Sequence, residues 1–281
     1  MPRIVAYSLC YREGALLRLA IGQVYDLVDE FRVVIGASDV RSKGHPRGCW
    51  NQPEDTSSEK MLRSMPDPQD KVRIVNSRFK QWLDKQSMTD AVLEGVNDAI
   101  VLQLDADEFW PPELLGKAIS TLTNNTVHAV GVRHLLFWGD CRHICRTGEG
   151  ADLWFKPPRL FRLTPETRIR HLMPALVNRS TDTVIDDDRV CILDTPLWHA
   201  AWIGNERVLR KRVFYAEGRG LPMFSVADWK SWKAMAPGEI LQINVGPMTI
   251  ANTPAEYLPS EQLQKEIESA AEGLVYQVNQ S

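Results

Sequence analysis

Three acidic residues stand within four positions, directly after a run of apolar residues. Asp105, Asp107 and Glu108 follow residues 99–104, whose nearly continuous apolar composition predicts a buried strand. Two carboxylates separated by one residue can face the same ion where a strand ends and the backbone turns. Carboxylate oxygens suit hard divalent cations such as Mg²⁺ and Mn²⁺. Asp105 and Asp107 are therefore predicted metal ligands, and such an ion could hold two phosphate oxygens of a diphosphate substrate.

Two further interpretations are considered: one concerns the acidic residues and the other a cluster of cysteine and histidine. The acidic residues could simply open the next helix, because Pro111, Pro112 and Glu113 make a good first turn and a helix N-terminus favours acids. A second cluster, Cys141-x-His143-x-Cys145, has the residue types of a zinc site. Its spacing matches no common zinc motif and a fourth ligand is not apparent, so ordinary buried thiols are the favoured interpretation.

The first half of the chain alternates strand and helix patterns. Strands are expected at residues 3–9, 31–35, 72–75 and 99–104, with helices at residues 13–25 and 87–96. This alternation predicts an α/β fold with a mostly parallel central sheet flanked by helices. Ligands of such sheets bind at the carboxyl ends of the strands, where the acidic residues stand. A glycine-rich phosphate loop is missing after the first strand, which disfavours a dinucleotide or P-loop site.

The second half is less regular. Strands are expected at residues 127–136, 157–162 and 191–193, a loop at 137–150, and helices at 206–217 and 260–274; residues 221–258 show no clear period. Residues 40–70 are rich in Pro, Ser, Gly and charge, which predicts a mobile insertion or lid. The expected organisation is a catalytic domain over residues 1–220, with a C-terminal extension over residues 221–281 that packs on it.

The composition is that of an ordinary globular chain. Of 281 residues, 44% are hydrophobic and 25% charged, and the net charge of -3 argues against a protein that coats nucleic acid. The sequence contains no run of about eighteen apolar residues, so no membrane span is predicted. The N-terminal apolar run is too short for a signal peptide, and five scattered cysteines fit reduced thiols, so a cytoplasmic location is expected.

Several segments resemble one enzyme family. Residues 104–114, LDADEFWPPEL, resemble the D-x-D-E-x-x-x-P-E-L segment of the β-1,4-mannosyl-glycoprotein N-acetylglucosaminyltransferases and their bacterial and viral relatives. Further likenesses run in order along the chain, at residues 16–35, 158–162 (PRLFR) and 198–211. The resemblance implies a GT-A type fold, a nucleotide-diphosphate sugar donor, expected to be UDP-linked, and a divalent ion, usually manganese. It also implies transfer of a hexosyl or N-acetylhexosaminyl group to an acceptor hydroxyl, with inversion.

The same likeness suggests roles for single residues. His199, in the segment beginning Trp198-His199, is expected to be the third metal ligand beside Asp105 and Asp107, with a packing histidine as the alternative. Lys211 is the favoured diphosphate contact among the basic residues of the helix that follows, although most of that helix could be a solvated face. The other candidate donor-binding residues are Asp105, Tyr7, Arg12 and Asp39.

An inverting transfer also needs a base to take the acceptor proton. Asp140, which follows Phe137-Trp138-Gly139, is the first candidate, and Asp187 is the second. Arg159 could serve the acceptor or brace the acidic segment, and the sequence does not choose between them.

The chain also departs from the family pattern, since Thr89-Asp90 stands where the family has Arg-Asn. The donor sugar is therefore open. Acceptors considered are a glycan, a lipid-linked sugar, a protein, or a hydroxylated base in modified DNA. Two other functions are considered: a catalytically silent nucleotide-sugar-binding protein on the same fold, and a metal-dependent nucleotidyltransferase or phosphohydrolase.

Overall fold

A computed structural model describes most of the chain as two compact units. The described residues are 2–36, 55–76, 82, 84–124, 126–147, 157–171, 174–185, 187–209, 226–235, 237–243 and 246–272. Those of the first unit lie at 2–133 and 157–197, and those of the second at 134–147 and 198–272. None of the helices in these ranges is long and apolar enough to cross a membrane.

The first unit is built on a sheet whose central strands are parallel. β1 (Arg3–Cys10) lies between β2 (Glu30–Ile35) and β4 (Ala99–Gln103), and β3 (Val72–Asn76) pairs with the outer side of β2. β7 (Pro158–Leu163) is antiparallel to β4, and the first residues of β6 (Ala129–Thr147) are antiparallel to β7. The predicted α/β class, with a mostly parallel central sheet flanked by helices, is confirmed.

The strands and helices of this unit follow from their apolar patterns. Every residue of β4 is buried, as expected for a parallel strand covered on both faces. Helix α1 (Gly14–Val24) buries five apolar residues at helical spacing, as predicted: Leu16, Leu17, Ala20, Ile21, Val24. Helix α3 (Lys85–Val92) begins with a capping box in which Asp84 accepts from the backbone N–H of Ser87 at 2.7 Å. β5 (Glu108–Phe109) and helix α4 (Pro112–Asn124) come directly after β4.

Residues 40–70 are not all loop, because helix α2 (Thr56–Arg63) lies within them. Asp55 caps this helix by accepting from the backbone N–H of Ser58 at 3.0 Å. Residues 40–54 lie outside the described part of the chain, so the expectation of a lid stays a prediction. The domain boundary expected near residue 220 also stays a prediction.

The second half holds more strand than its sequence indicates. β6 continues to Thr147, so the loop expected from residue 137 is wrong for residues 137–147. β10 runs over Val190–Ile203, far beyond the predicted residues 191–193. In the first unit, β8 (Thr167–Arg170) and β9 (Ala175–Asn178) form a separate antiparallel pair. Of the helix expected at 206–217, residues 205–209 are described as helical, and we call them α5.

The second unit has its own core. The end of β6 pairs with β12 (Gly246–Asn252), which pairs with β11 (Ile240–Ile243), so residues 221–258 are not irregular throughout. Helices α6 (Val226–Lys233) and α7 (Glu261–Glu272) complete the unit. Its apolar cluster joins side chains from β6, α5, α6 and β12, namely Trp138, Cys145, Val208, Trp229, Met248 and Ile250.

Helix α1 lies against α2 at a glycine. A Cβ added to Gly14 would stand 2.5 Å from Cα of Ser58, which is backbone and cannot rotate away. We expect Gly14→Ala to lower the free energy of unfolding by about 1–3 kcal/mol in a urea titration. Gly22, on the same helix, has open space around its Cα. Gly22→Ala is therefore the matched control and should stabilise by about 0.5–1 kcal/mol; a Gly14→Ala variant as stable as Gly22→Ala would contradict the packing described.

Candidate functional site

The acidic segment stands where the order of the parallel strands reverses. From β1 the chain moves to β2 and β3 on one side, then returns to β4 on the other side. The switch point therefore lies between β1 and β4, and open α/β sheets bind ligands outside the carboxyl ends of such strands. Tyr11 and Arg12 follow β1, and Leu104 and Asp105 follow β4.

A tight turn gives the acidic segment its shape. The backbone N–H of Glu108 donates to the carbonyl oxygen of Asp105 at 3.0 Å, so residues 105–108 form a turn with Asp at its favoured first position. Glu108 then belongs to β5, and α4 starts only at Pro112. The interpretation that these acids open the helix is therefore wrong, because β5 separates them from its first turn.

Arg159 braces this turn. Its Nε lies 2.9 Å from Oε2 and 3.1 Å from Oε1 of Glu108, and its Nη2 lies 2.5 Å from Oε1 of Glu108 and 3.3 Å from Oδ2 of Asp105. The Glu108 side chain is 0% exposed and that of Arg159 is 5% exposed. Of the two roles left open for Arg159, bracing the acidic segment is the one these contacts support. Burial acts to lower its pKa, but the charges of Glu108 and Asp105 raise it above the usual value.

The charges of the turn fit a divalent cation. Glu108 pairs with Arg159 inside the turn, and Asp105 and Asp107 add two further carboxylates to the same segment. Burial acts to raise the pKa of Asp105, but Arg159, His171 and Lys85 together lower that pKa below its usual value. Asp105 is half-buried and Asp107 is buried. Two carboxylates this close in the chain are a suitable oxygen donor set for Mg²⁺ or Mn²⁺.

Asp105 is also held from the side of β1. Tyr7 is buried and its hydroxyl donates to Oε1 of Gln103 at 2.9 Å, while Nε2 of Gln103 lies 3.4 Å from Oδ1 of Asp105. Burial raises the pKa of Tyr7, so this hydroxyl keeps its proton. Tyr7 was predicted to bind the donor, and this placement favours a positioning role through Gln103. Gln103 was not singled out from the sequence, because there it is only a single polar residue near the end of the apolar run 99–104.

His171 is a second neighbour of the turn that the sequence did not indicate. Burial lowers the pKa of His171 to about 4, against the opposing pull of Asp105, so the imidazole is neutral at pH 7. Its backbone N–H donates to Oε1 of Gln86 at 2.9 Å, and Nε2 of Gln86 donates to the carbonyl oxygen of Ile169 at 2.9 Å. Helix α3 thereby fixes the chain around His171.

Removing the Tyr7 hydroxyl should weaken the hydrogen bonding that runs from Tyr7 through Gln103 to Asp105. Tyr7→Phe leaves Oε1 of buried Gln103 without its donor, and we expect the free energy of unfolding to fall by about 1–2 kcal/mol. Tyr257→Phe is the control, because the Tyr257 hydroxyl has no hydrogen-bond partner among the described residues. Both variants are compared by urea denaturation; equal stabilities would argue against the Tyr7–Gln103 bond.

The loop after β1 carries another predicted donor contact. Arg12 has a φ of 56°, an uncommon backbone conformation for a non-glycine residue. Its backbone N–H donates to Asp55, the capping residue of α2, and its guanidinium lies 5.4 Å from the Tyr11 ring centroid. The structure therefore places Arg12 next to the switch point. Two other predicted donor contacts, Asp39 and Lys211, lie outside the described residues.

His199 is described within the second unit, whereas Asp105 and Asp107 belong to the first. Its Nδ1 lies 3.3 Å from Nδ1 of His134, which is buried, and the two rings meet edge to face. At this distance one ring donates and the other accepts, so the two imidazoles fix each other's orientation. The third-ligand role of His199 stays a prediction.

Arg207 shows how the basic helix differs from its sequence pattern. Arg207 belongs to the basic run that follows Trp198-His199, but its side chain is buried and its Nη1 donates to the carbonyl oxygens of Ala200 and Ala201. Arg207 thus ties α5 to the end of β10, and a diphosphate clamp that includes it is wrong.

The two candidate bases lie in different settings. Asp140 stands on β6 rather than in a loop, and its Oδ1 accepts from the ring of His143. Asp187 begins a short 3₁₀ turn, Asp187–Arg189, and its side chain is outside the described part.

Burial raises the pKa of the Cys141 and Cys145 thiols, so they stay protonated, which disfavours the zinc alternative.

Comparisons with known proteins give only distant likenesses. No protein-family profile and no curated protein matches the chain. The solved structures that resemble it include 4-diphosphocytidyl-2C-methyl-D-erythritol synthase, 19% identical, covering 58% of this chain and 76% of that one, with a TM-score of 0.33. Residues 1–349 of S. aureus TarS in complex with UDP are 11% identical, covering 83% and 70%, with a TM-score of 0.40.

A third likeness is to a protein described as a proposed nucleotide-diphospho-sugar transferase from Desulfovibrio desulfuricans G20. It is 10% identical, covers 82% of this chain and 95% of that one, and has a TM-score of 0.34. Because all three TM-scores lie below 0.5, none of these likenesses decides what the chain binds or does.

Proposed function

We propose that the chain is a metal-dependent glycosyltransferase of the GT-A type. It moves a hexosyl or N-acetylhexosaminyl group from a nucleotide-diphosphate donor, expected to be UDP-linked, to an acceptor hydroxyl with inversion. The observation that carries the proposal is the position of the 105–108 turn at the switch point between β1 and β4. The ordered sequence likenesses to the β-1,4-mannosyl-glycoprotein N-acetylglucosaminyltransferases support the same function.

The turn supplies what a donor diphosphate needs. Asp105 and Asp107 would hold Mn²⁺ or Mg²⁺, with His199 proposed as the third ligand. When bound, the ion would offset the negative charge that develops on the leaving diphosphate. Arg159 and Gln103 keep Asp105 in place before the donor arrives, so less ordering is needed on binding.

The other predicted residues have proposed roles around the donor and acceptor. Arg12, after β1, would contact the donor, as would Asp39 and Lys211. Asp140 is the first proposed base for the acceptor hydroxyl and Asp187 the second. The acceptor classes remain those named above: a glycan, a lipid-linked sugar, a protein, or a hydroxylated base in modified DNA.

A nucleotide-sugar screen tests the proposal. Melting temperatures of the full chain are measured with UDP-, GDP-, CDP- and ADP-sugars, each with Mn²⁺, with Mg²⁺ and with EDTA. We expect one nucleotide class to raise the melting temperature only with metal present, because a ligand that binds the folded state stabilises it. That donor should then be hydrolysed slowly to free sugar and nucleoside diphosphate.

Other outcomes separate the alternative functions. Metal-dependent stabilisation without any turnover of the donor, in the presence of a broad acceptor panel, would indicate a silent binding protein. Cleavage of nucleoside triphosphates or release of inorganic phosphate would indicate a nucleotidyltransferase or phosphohydrolase. A chain that no nucleotide-sugar stabilises with either metal would contradict the proposed function.

His199→Ala distinguishes a metal ligand from a packing residue. We expect Mn²⁺ affinity, measured by calorimetry, to fall by about tenfold or more. The melting temperature should fall only slightly, because His199 is half-buried. Unchanged Mn²⁺ affinity with a large loss of thermal stability would assign His199 to packing against His134.

A further inference from the structure

The second unit contains a cavity of about 660 Å³, enough room for a small ligand. It is lined by residues from β6, from the end of β10, from the segment after α6 and from α7. Its lining includes three apolar side chains, those of Trp138, Ile203 and Met235. Trp138 is fixed there, because its Nε1 donates to the carbonyl oxygen of Trp232 at 3.2 Å and its ring packs on Trp202 and Trp229.

The lining also contains an aspartate–histidine pair. Oδ1 of Asp140 lies 2.8 Å from Nδ1 of His143 and accepts from the backbone N–H groups of Arg142 at 2.8 Å and His143 at 3.1 Å. Gly139, just before, has a φ of 74° and lets the strand bend at this point. Three hydrogen bonds to one oxygen hold Asp140 in a single orientation.

This pair leaves two hydrogen-bond acceptors available. When the imidazole of His143 is neutral, its proton lies on Nδ1 toward Asp140, so Nε2 carries a lone pair. Neither Nε2 of His143 nor Oδ2 of Asp140 has a hydrogen-bond partner among the residues that the structure describes. Both side chains are partly exposed, at 31% for His143 and 39% for Asp140. They can therefore accept from the hydroxyl groups of a ligand.

The rest of the lining adds negative charge. Glu268, Glu272 and Lys265 stand on α7 and line the cavity. Together with Asp140, the lining therefore holds three carboxylates and one ammonium group. Glu268 is fixed by the backbone N–H of Cys141, which donates to its Oε1 at 3.1 Å. Two negative charges are left over, which repels phosphate- and carboxylate-bearing ligands and attracts an amine.

We propose that this cavity binds a saccharide that carries no negative charge, with an amino sugar binding more tightly than its neutral counterpart. Nε2 of His143 and Oδ2 of Asp140 accept hydrogen bonds from sugar hydroxyls, and the apolar lining residues Trp138, Ile203 and Met235 contact the apolar face of the ring. The proposal concerns residues of the second unit alone and needs neither nucleotide nor metal. It shares Asp140 with the proposed function, in which Asp140 is the first proposed base, but sugar binding can be tested without donor or metal, so the failure of one proposal can be told from the failure of the other.

Calorimetry on the full chain, without nucleotide or divalent metal, tests the proposal with three probes: glucosamine, glucose and glucose 6-phosphate. We expect glucosamine to bind most tightly at neutral pH, glucose more weakly, and glucose 6-phosphate not measurably. Added salt should reduce the advantage of glucosamine over glucose, because it screens the charges of the cavity. Equal binding of glucose 6-phosphate and glucosamine, or no binding of any sugar, would overturn the proposal.

Variants and a direct spectroscopic signal locate the binding. His143→Phe keeps an aromatic ring but removes the acceptor, and we expect glucosamine affinity to fall by about tenfold. Arg142→Gln is the control, because Arg142 is exposed on the same strand and does not line the cavity. In the unmodified chain, glucosamine should shift the ¹⁵N resonance of His143 Nε2. This measurement tests the role of His143 even if the Phe variant does not fold. If the ¹⁵N chemical shift of His143 Nε2 does not change at saturating glucosamine, the role of His143 is overturned.

Discussion

Arg159→Leu is expected to lower the free energy of unfolding by about 3–5 kcal/mol, since it removes the guanidinium that pairs with the buried Glu108 carboxylate. Glu108 is fully buried and is engaged by two nitrogens of Arg159, so no water can replace the guanidinium without a rearrangement of the turn. A urea titration followed by tryptophan fluorescence measures the change.

The control for this prediction is an exposed pair. Arg63 and Glu59 form an ion pair four residues apart on α2, and the Arg63 side chain is 65% exposed. Arg63→Leu should cost no more than about 0.5 kcal/mol. The double variant Arg159→Leu with Glu108→Leu should recover much of the lost stability, because it removes the unpaired charge as well. If the Arg159 and Arg63 variants lose equal stability, the buried pair does not brace the turn.

Asp105→Asn should reduce donor turnover by at least about a hundredfold, if the chain is the proposed glycosyltransferase. The substitution keeps the shape of the side chain and removes its negative charge, so the proposed metal loses an anionic ligand. Mn²⁺ affinity should fall in parallel, and Asp107→Asn should act in the same direction. Global stability should change little, because Glu108 still neutralises Arg159.

Asp98→Asn is the matched control for the metal prediction. Asp98 precedes β4 at its amino end, whereas Asp105 follows the carboxyl end of the same strand. It is exposed and has a φ of 48°, a conformation that asparagine also adopts readily. Its variant should keep unchanged Mn²⁺ affinity and turnover. An Asp105 variant that binds Mn²⁺ as tightly as the Asp98 variant would place the metal elsewhere.

Local patterns predicted the first half of the fold well. The continuous apolar run of β4 and the helical spacing of Leu16, Ala20 and Val24 are properties of short segments, so they can be recognised without tertiary structure. Helix α2 was missed because it buries only Ser58 and Leu62, and all its other residues except Met61 are polar. The length of β6 was missed because Gly139 and Asp140 resemble a turn, while the pairing that extends the strand comes from residues about a hundred positions away.

In the candidate site too, some residues could be predicted from local sequence and others could not. The acidic residues and their place after a strand could be predicted, because sequence neighbours define them. The groups that position them come from distant segments: Arg159 is 51 residues from Glu108, and Tyr7 is 96 residues from Gln103. The sequence offered bracing by Arg159 only as one of two roles. Nothing local indicated that Arg207, in a basic run, would be buried against carbonyl oxygens.

The pairing of β12 with β6 bears on how the protein can be shortened for expression. Met248 and Ile250 of β12, with Trp229 of α6, cover Trp138 and Cys145 on β6. A chain truncated after residue 220 would lose all three covering side chains and leave the β12-facing edge of β6 unpaired. Unpaired strand edges beside exposed tryptophan favour intermolecular pairing. Such a fragment should form inclusion bodies, whereas a chain that retains β12 keeps this pairing.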